Sequence, residues 1–253
     1  MNKPLLITDL DGTLIKNSEK IHPKDKDVFT RIHKNFVTGI ATGRSIKEIA
    51  FIEEQLGFEV EVKIGFNGAI MEINNERIFE HHIDRKDVQN LLHFLEKNQI
   101  KFDALDGDTR MGTHQTSNKR KLWNMKLHKP NDMLNTILNK TIYKINVRPA
   151  ENNSDALLAE LSEMFPNLTI CKSGETRIEV TASDISKGLA IQYLKEHTNY
   201  GPIIATGDSE NDITLFQEAD LSFCIKNAQK NVKEHADFVM DYFSTLKKLI
   251  YFS

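Results

Sequence analysis

Asp9 and Asp11 stand two residues apart at the end of a short apolar run, Pro4 to Thr8. Asp208 and Asp212 stand four apart just beyond another run, Pro202 to Thr206. Thr42, Gly43 and Arg44 close a third run, Phe36 to Ala41, and Lys187 lies at the start of a helix predicted over 184–196. Carboxylates are ionised near neutrality. Hard oxygen donors of this kind suit Mg2+, which keeps several waters and needs few of them. A lysine can neutralise an anion, a threonine hydroxyl can donate to one, and the Gly43 amide can approach closely because no side chain stands in the way. Each residue also has a plainer reading. A strand-end aspartate caps a turn, acids favour the first turn of a helix, and lysines are common on the surface of so lysine-rich a chain. In open α/β sheets, ligands bind at the carboxyl ends of the parallel strands. If these runs are such strands, the carboxylates, a hydroxyl and an amine meet at one edge of a sheet.

The elements must therefore be found. Wholly apolar runs such as Pro4 to Thr8 suit strands buried on both faces, as in parallel sheets. A helix-compatible stretch, Pro23 to Lys34, separates the first run from the second. Ser45 stands three residues before Glu48, a capping-box spacing, and the helix it opens should stop near Gly57. A third strand, Val60 to Phe66, ends at the tight-turn dipeptide Asn67-Gly68. From about Ile70 the pattern changes. A hairpin pairs 70–73 with 77–83 through Asn74-Asn75. A helix over 84–98 carries Val88, Leu91, Leu92 and Leu95 on one face. A second hairpin, 102–105 with 109–113, turns at Asp106-Gly107. Strand 142–147, helix 152–165 and strands 168–173 and 177–181 follow. The last third returns to the first pattern, with strand 202–206, helix 210–218, strand 221–225, a helix from Ala228, strand 238–240 and a final helix. The predicted fold class is α/β: a doubly wound (Rossmann-like), mostly parallel sheet core with an inserted α+β cap domain. The core takes 1–82 and 185–253, and the cap 83–184.

Bulk properties narrow the partners. The chain has 253 residues, 40% hydrophobic and 27% charged, which is ample for a buried core in a soluble protein. A net charge of -3 gives no electrostatic footprint for nucleic acid or an anionic membrane. The opening MNKPLLITDLDG lacks the apolar core of a signal peptide, and no run approaches the ~20 apolar residues that span a bilayer. A cytoplasmic protein is expected. Cys171 and Cys224 fall on predicted strands, where buried free thiols are the default. The glycosylation-type triplets at Asn139, Asn152 and Asn167 are read as chance. Lys119-Arg120-Lys121-Leu122-Trp123 reads as a solvated basic face with one packed tryptophan. His81 and His82 would point opposite ways on a strand and share no metal. Asp106 and Asp108 read as turn chemistry, because the other ligands of a calcium loop are missing.

Asp9-Leu10-Asp11-Gly12-Thr13-Leu14 resembles the nucleophile motif of the haloacid dehalogenase-like (HAD) superfamily. Thr42, Lys187 and Gly207-Asp208-Ser209-Glu210-Asn211-Asp212 match its other three motifs in order, so the resemblance spans nearly the whole chain. The insert, with Asn67-Gly68-Ala69, Lys187-Gly188 and Asn227-Ala228, is similar to the Cof-type phosphatase branch. Lys226 departs from it, since that branch often has glycine there. The resemblance implies that Asp9 attacks phosphorus and becomes an aspartyl phosphate. It implies that Asp11 protonates the leaving oxygen and then takes the proton of the attacking water. Asp9, Asp208 and the backbone carbonyl of Asp11 would hold the Mg2+ cofactor, with Asp212 supporting directly or through water. Leu10, Thr42, Gly43, Lys187 and Asn211 would bind phosphate. Asp11 also argues against carbon–halogen chemistry, because the dehalogenase branch lacks it. Arg44 resembles the arginine of the branch's ATGR motif; its role stays open between the site and a salt bridge. Ser45 is read as a helix cap. The implied function is a Mg2+-dependent phosphatase of small phosphorylated metabolites, especially sugar phosphates, with the cap closing over the core. The expected partners are that substrate alone, with no nucleic acid and no membrane, in a monomer or weak homo-oligomer. Two rivals are a phosphomutase of the same superfamily and a non-catalytic phosphosugar-binding module. Lys187→Ala is expected to lower activity at least tenfold and leave the fold intact.

Overall fold

The computed structural model describes residues 2–17, 19–114, 122–150, 153–173 and 176–251. The chain divides into two compact units, Met1–Phe79 with Ser186–Ser253, and Glu80–Ile185. Among the described residues no helix is long and apolar enough to cross a membrane.

In the first unit the chain runs through β1 (Leu5–Thr8), α1 (Pro23–Asn35), β2 (Val37–Ala41), α2 (Ile46–Leu56), β3 (Val62–Gly65), β4 (Ile70–Ile73) and β5 (Glu76–Glu80). In the second it forms α3 (Arg85–Lys97), β6 (Lys101–Leu105), β7 (Thr109–Gly112), β8 (Lys126–His128), α4 (Met133–Leu138), β9 (Lys144–Arg148), α5 (Ser154–Met164), β10 (Leu168–Lys172) and β11 (Ile178–Ala182). It re-enters the first unit through α6 (Lys187–His197), β12 (Ile203–Gly207), α7 (Ile213–Glu218), β13 (Leu221–Ile225), α8 (Lys230–Lys233) and β14 (Phe238–Met240), and ends in a 3-10 segment, Phe243–Tyr251.

The sheet of the first unit has the order β14-β13-β12-β1-β2-β3-β4-β5. From β14 to β3 every pairing is parallel, and β4 joins β3 antiparallel. The crossovers after β1 and β2 step one way along the sheet, and those after β12 and β13 step the other. Strand order therefore reverses between β1 and β12, the switch point at which such sheets open a crevice. Leu5 and Ile7 of β1 pack with Ile191 and Leu194 of α6 and Leu215 of α7 in one cluster. Leu6, on the opposite face of the same strand, is equally buried. That two-sided burial is why the strand shows no alternation of apolar and polar residues.

The second unit holds a six-stranded sheet, β10-β11-β9-β6-β7-β8, antiparallel except for β7 with β8. On α3, Val88, Leu91, Leu92 and Leu95 form its buried stripe. Asp106 accepts from the amides of Asp108 and Thr109, which is turn chemistry as read from the sequence. Cys224 is buried as expected, whereas Cys171 is only half-buried. Trp123 is buried; Lys119, Arg120, Lys121 and Asn152 lie outside the described residues.

Several expectations need correction. β5 ends at Glu80, not at 83, so His81 and His82 lie on no strand; both are exposed in the connection to α3. The Tyr143 hydroxyl donates to the Glu80 carboxylate, and the Ile83 amide donates to Ile142 O at 2.8 Å, which tie this segment to the second unit. The division accordingly falls after Phe79 and after Ile185, rather than after 82 and 184. The helix predicted over 184–196 starts at Lys187, because the Ser186 hydroxyl caps it by accepting from the Leu189 amide. The helix predicted over 210–218 is a 3-10 turn, Glu210–Asp212, followed by α7. The helix expected from Ala228 is the four-residue α8. Neither β8 nor α4 is anticipated from the sequence.

Candidate active site

Asp9 emerges from β1 with its amide bonded to Thr206 O at 2.9 Å. Its side chain is buried. Oδ1 accepts from Lys187 Nζ at 2.7 Å, while Oδ2 is buried with no hydrogen-bond partner among the described residues. The chain then turns tightly. The Gly12 amide donates to Ile15 O at 2.7 Å, and the Ile15 amide to Leu10 O at 2.8 Å. Gly12 has φ +100°, a conformation that side chains resist. A Cβ there would also stand 2.1 Å from Asp208 Oδ2. The next residue, Thr13, donates its hydroxyl to Asp208 Oδ1 at 2.7 Å. The turn after β1 thus holds the carboxylate that leaves β12. Thr13 is quoted in the sequence motif without a role; only the fold reveals its partner, 195 residues away.

Lys187 is the first residue of α6 and is completely buried. Its Nζ donates to Asp9 Oδ1 and, at 2.6 Å, to Asp212 Oδ1. Asp212 Oδ2 accepts from the amides of Asp208 and Ser209, both at 2.9 Å. Both Asp212 oxygens are therefore committed to holding Lys187 and the turn after β12. That geometry suits a supporting residue better than a direct metal ligand.

Asp9, Asp208 and Asp212 each offer a carboxylate oxygen, and these oxygens lie within 4.8 Å of one another. Burial raises the Asp9 carboxyl well above its ordinary range. Lys187 pulls it back, while Asp212 and Asp208 push it further up. Asp208 is pushed up to about 7, first by burial and then by the Asp212 charge, against the pull of the Thr13 hydroxyl. Burial also opposes the Lys187 ammonium, but Asp212 and Asp9 outweigh it and its pKa lies above the ordinary value. Three carboxylates around one ammonium leave a deficit of positive charge. A hard divalent cation fits this site: the donors are all oxygen, Asp9 Oδ2 lacks a partner, and the carboxylates repel one another until a cation joins them.

Thr42 and Gly43 follow β2. The Thr42 Oγ1 accepts from the Arg44 amide at 3.2 Å, which leaves its own proton to donate. The Leu10 side chain is fully buried, so only its backbone can serve a ligand. Asn211 Nδ2 donates to Asn67 Oδ1 at 3.1 Å, and Asn211 Oδ1 is buried without a partner among the described residues. Asp11 is set apart from the three clustered carboxylates. Its oxygens are taken by Arg44, with Nε to Oδ2 at 2.5 Å and Nη2 to Oδ1 at 2.9 Å. The role left open for Arg44 in the sequence thus has a partner inside the motif of Asp9. Ser45 is the helix cap expected, accepting from the Glu48 amide at 3.2 Å.

Known proteins share this arrangement of elements. The model of the haloacid dehalogenase-like hydrolase family matches residues 6–245. The 5-amino-6-(5-phospho-D-ribitylamino)uracil phosphatase YcsE of Bacillus subtilis is 27% identical over 243 residues, spanning 94% of this chain and 89% of its own. A haloacid dehalogenase-like hydrolase from Bacteroides thetaiotaomicron has a TM-score of 0.83 at 22% identity, over 98% of this chain and 99% of the other. A HAD subclass IIB sugar phosphatase has a TM-score of 0.79 at 19% identity, over 98% of both chains.

Proposed function

This chain belongs to the haloacid dehalogenase-like hydrolase family, and from that premise we propose that it is a Mg2+-dependent phosphatase of small phosphorylated metabolites, sugar phosphates foremost, with Asp9 as nucleophile. The observation that carries the reading is the Asp9 carboxylate. It is buried, held on one oxygen by Lys187 and open on the other. A carboxylate that meets a phosphate dianion at 4 Å pays roughly 8 kcal/mol at an effective dielectric near 20. The site must therefore supply positive charge, and Lys187 brings one such charge to the spot.

In the first step an Asp9 oxygen bonds to phosphorus and the ester P–O bond breaks, while Asp11 gives its proton to the leaving oxygen. In the second, water bonds to phosphorus and the Asp9–phosphorus bond breaks, while Asp11 takes the water's proton. Thr42, the Gly43 amide, the Leu10 backbone, Lys187 and Asn211 bind the phosphoryl oxygens. Asp9, Asp208 and the Asp11 carbonyl would hold Mg2+, with Asp212 supporting; bound there, the ion supplies the remaining positive charge. Selection among substrates is assigned to the unit Glu80–Ile185. The relatives support the phosphate-ester class: one carries a phosphoribityl substrate in its name and another is called a sugar phosphatase.

The test is release of inorganic phosphate from a panel of phosphorylated metabolites, with and without Mg2+, beside an Asp9→Asn control. Release should require Mg2+ and fall by about 10³-fold or more in the control. Isomerised ester without free phosphate would point to a mutase instead. Tight binding of phosphosugars with every ester left intact would point to a sensor.

A further inference from the structure

Arg44 bridges two carboxylates that lie on different elements. Its Nε and Nη2 grip both oxygens of Asp11, and its Nη1 donates to Glu48 Oε1 at 2.9 Å. Glu48 is itself immobilised. It has no exposed surface, and its Oε2 accepts from the Ser45 amide at 2.9 Å and the Ser45 hydroxyl at 3.1 Å, within the capping box that opens α2. A continuous set of contacts therefore runs from the first turn of a helix to a carboxylate 33 residues before Arg44.

This is a costly way to hold a loop. Desolvating ions is unfavourable, and well-packed apolar groups stabilise a fold equally well or better. The capping box would also form without Arg44, since it needs only Ser45 and Glu48. What the guanidinium adds is direction: a two-point grip fixes the plane of the carboxyl as well as its position. The Asp11 side chain keeps 29% of its surface exposed, against 7% for Asp9. It is thus the acid of the pair that an outside oxygen can reach.

We propose that Arg44 is the positioning residue for Asp11, and that Glu48 in turn positions Arg44, so that the Asp11 carboxyl faces the oxygen with which it exchanges a proton. The proposal rests on the reading of Asp11 as proton donor to the leaving group; because a guanidinium on both oxygens favours the ionised form, the donor state is reached when one arm of the grip gives way to a proton as the substrate binds, while the other arm keeps the carboxyl aimed. It deepens that reading by naming what sets the donor's geometry.

The leaving group provides the test. A nitrophenolate departs without a proton, whereas the alkoxide of a sugar needs one. Wild type, Arg44→Lys and Glu48→Gln are compared by kcat/KM on nitrophenyl phosphate and on an alkyl phosphate such as a hexose phosphate, with thermal melts of each. Gln at the third helical position preserves a capping box, so Glu48→Gln removes the ion pair with little damage to α2. For Arg44→Lys, kcat/KM on the alkyl ester should fall about 100-fold, the scale of a misplaced proton donor. On the aryl ester the loss should be several times smaller. Glu48→Gln should show the same asymmetry in weaker form. Equal losses on both esters, or losses that track the melting temperature, would mean that Arg44 only stabilises the fold. A gain on the alkyl ester would mean that it restrains Asp11 from acting. A wild type inactive on both esters would overturn this inference together with the functional reading.

Discussion

Lys187 has no exposed surface and sits between Asp9 and Asp212. Sequence position alone assigns it a small penalty, roughly 0.3–1 kcal/mol, for a cation at a helix N-terminus. Burial changes the expectation that Lys187→Ala spares the fold. Removing one partner of a buried ion pair leaves an uncompensated charge and costs about 3–5 kcal/mol. For a chain of this size that is roughly a 10 °C loss in melting temperature. Phosphate release from the variant should fall at least tenfold, and its metal-free melt should drop by that amount. A variant that melts like wild type would show that Asp9 and Asp212 do not depend on the lysine. The motif residues themselves are legible in the sequence because each stands at a strand end or a helix start. The pairing of Arg44 with Asp11 is not, because nothing local to either residue marks a partner two elements away.

The turn after β1 is tightly constrained. Gly12 needs positive φ and lies against Asp208. Gly12→Ala should therefore displace the Asp208 carboxylate and break its bond from Thr13. The expected outcome is weaker apparent Mg2+ affinity, read as a higher Mg2+ concentration for half-maximal phosphate release, with a total activity loss on the order of 100-fold for a displacement near 1 Å. Unchanged Mg2+ dependence would separate the turn from the metal site. The strands around this turn are legible because burial on both faces demands apolar runs, as at Leu5, Leu6 and Ile7 of β1 and at Ile203, Ile204 and Ala205 of β12. β8 and α4 are not. Lys126–His128 is an exposed edge strand of three residues, too short to show a period of two, and six residues of α4 are too few to show a helical period. α6 starts three residues later than the sequence predicts, because Ser186 is the residue whose side chain caps it.

For the whole molecule, the raised carboxyls predict how pH and metal interact. Asp208 titrates near 7 and Asp9 well above its ordinary range, against about 4 for an unfolded carboxyl. A raised native pKa contributes stability that is present below the unfolded value and lost as pH rises through the native one. Without metal, this cluster should therefore destabilise the protein progressively between about pH 4 and pH 7. Mg2+ competes with the same protons, so its stabilisation should grow over that range. The rise in melting temperature on replacing EDTA with saturating Mg2+ should be larger at about pH 8 than at about pH 5.5, approaching 5–10 °C at 100 times the dissociation constant. An equal or smaller increment at the higher pH would remove the cluster as the binding site. The order of strands also constrains synthesis. Thr8 and Thr206 share a hydroxyl hydrogen bond across 198 residues of chain. A ribosome must extrude all of Glu80–Ile185 before β12 can seat beside β1. Until then the nascent β1 has an open edge, and Asp9 has neither its lysine nor its neighbouring acids. Translation stopped inside the insert leaves an inert fragment, so turnover begins only when the second half of the core has been made.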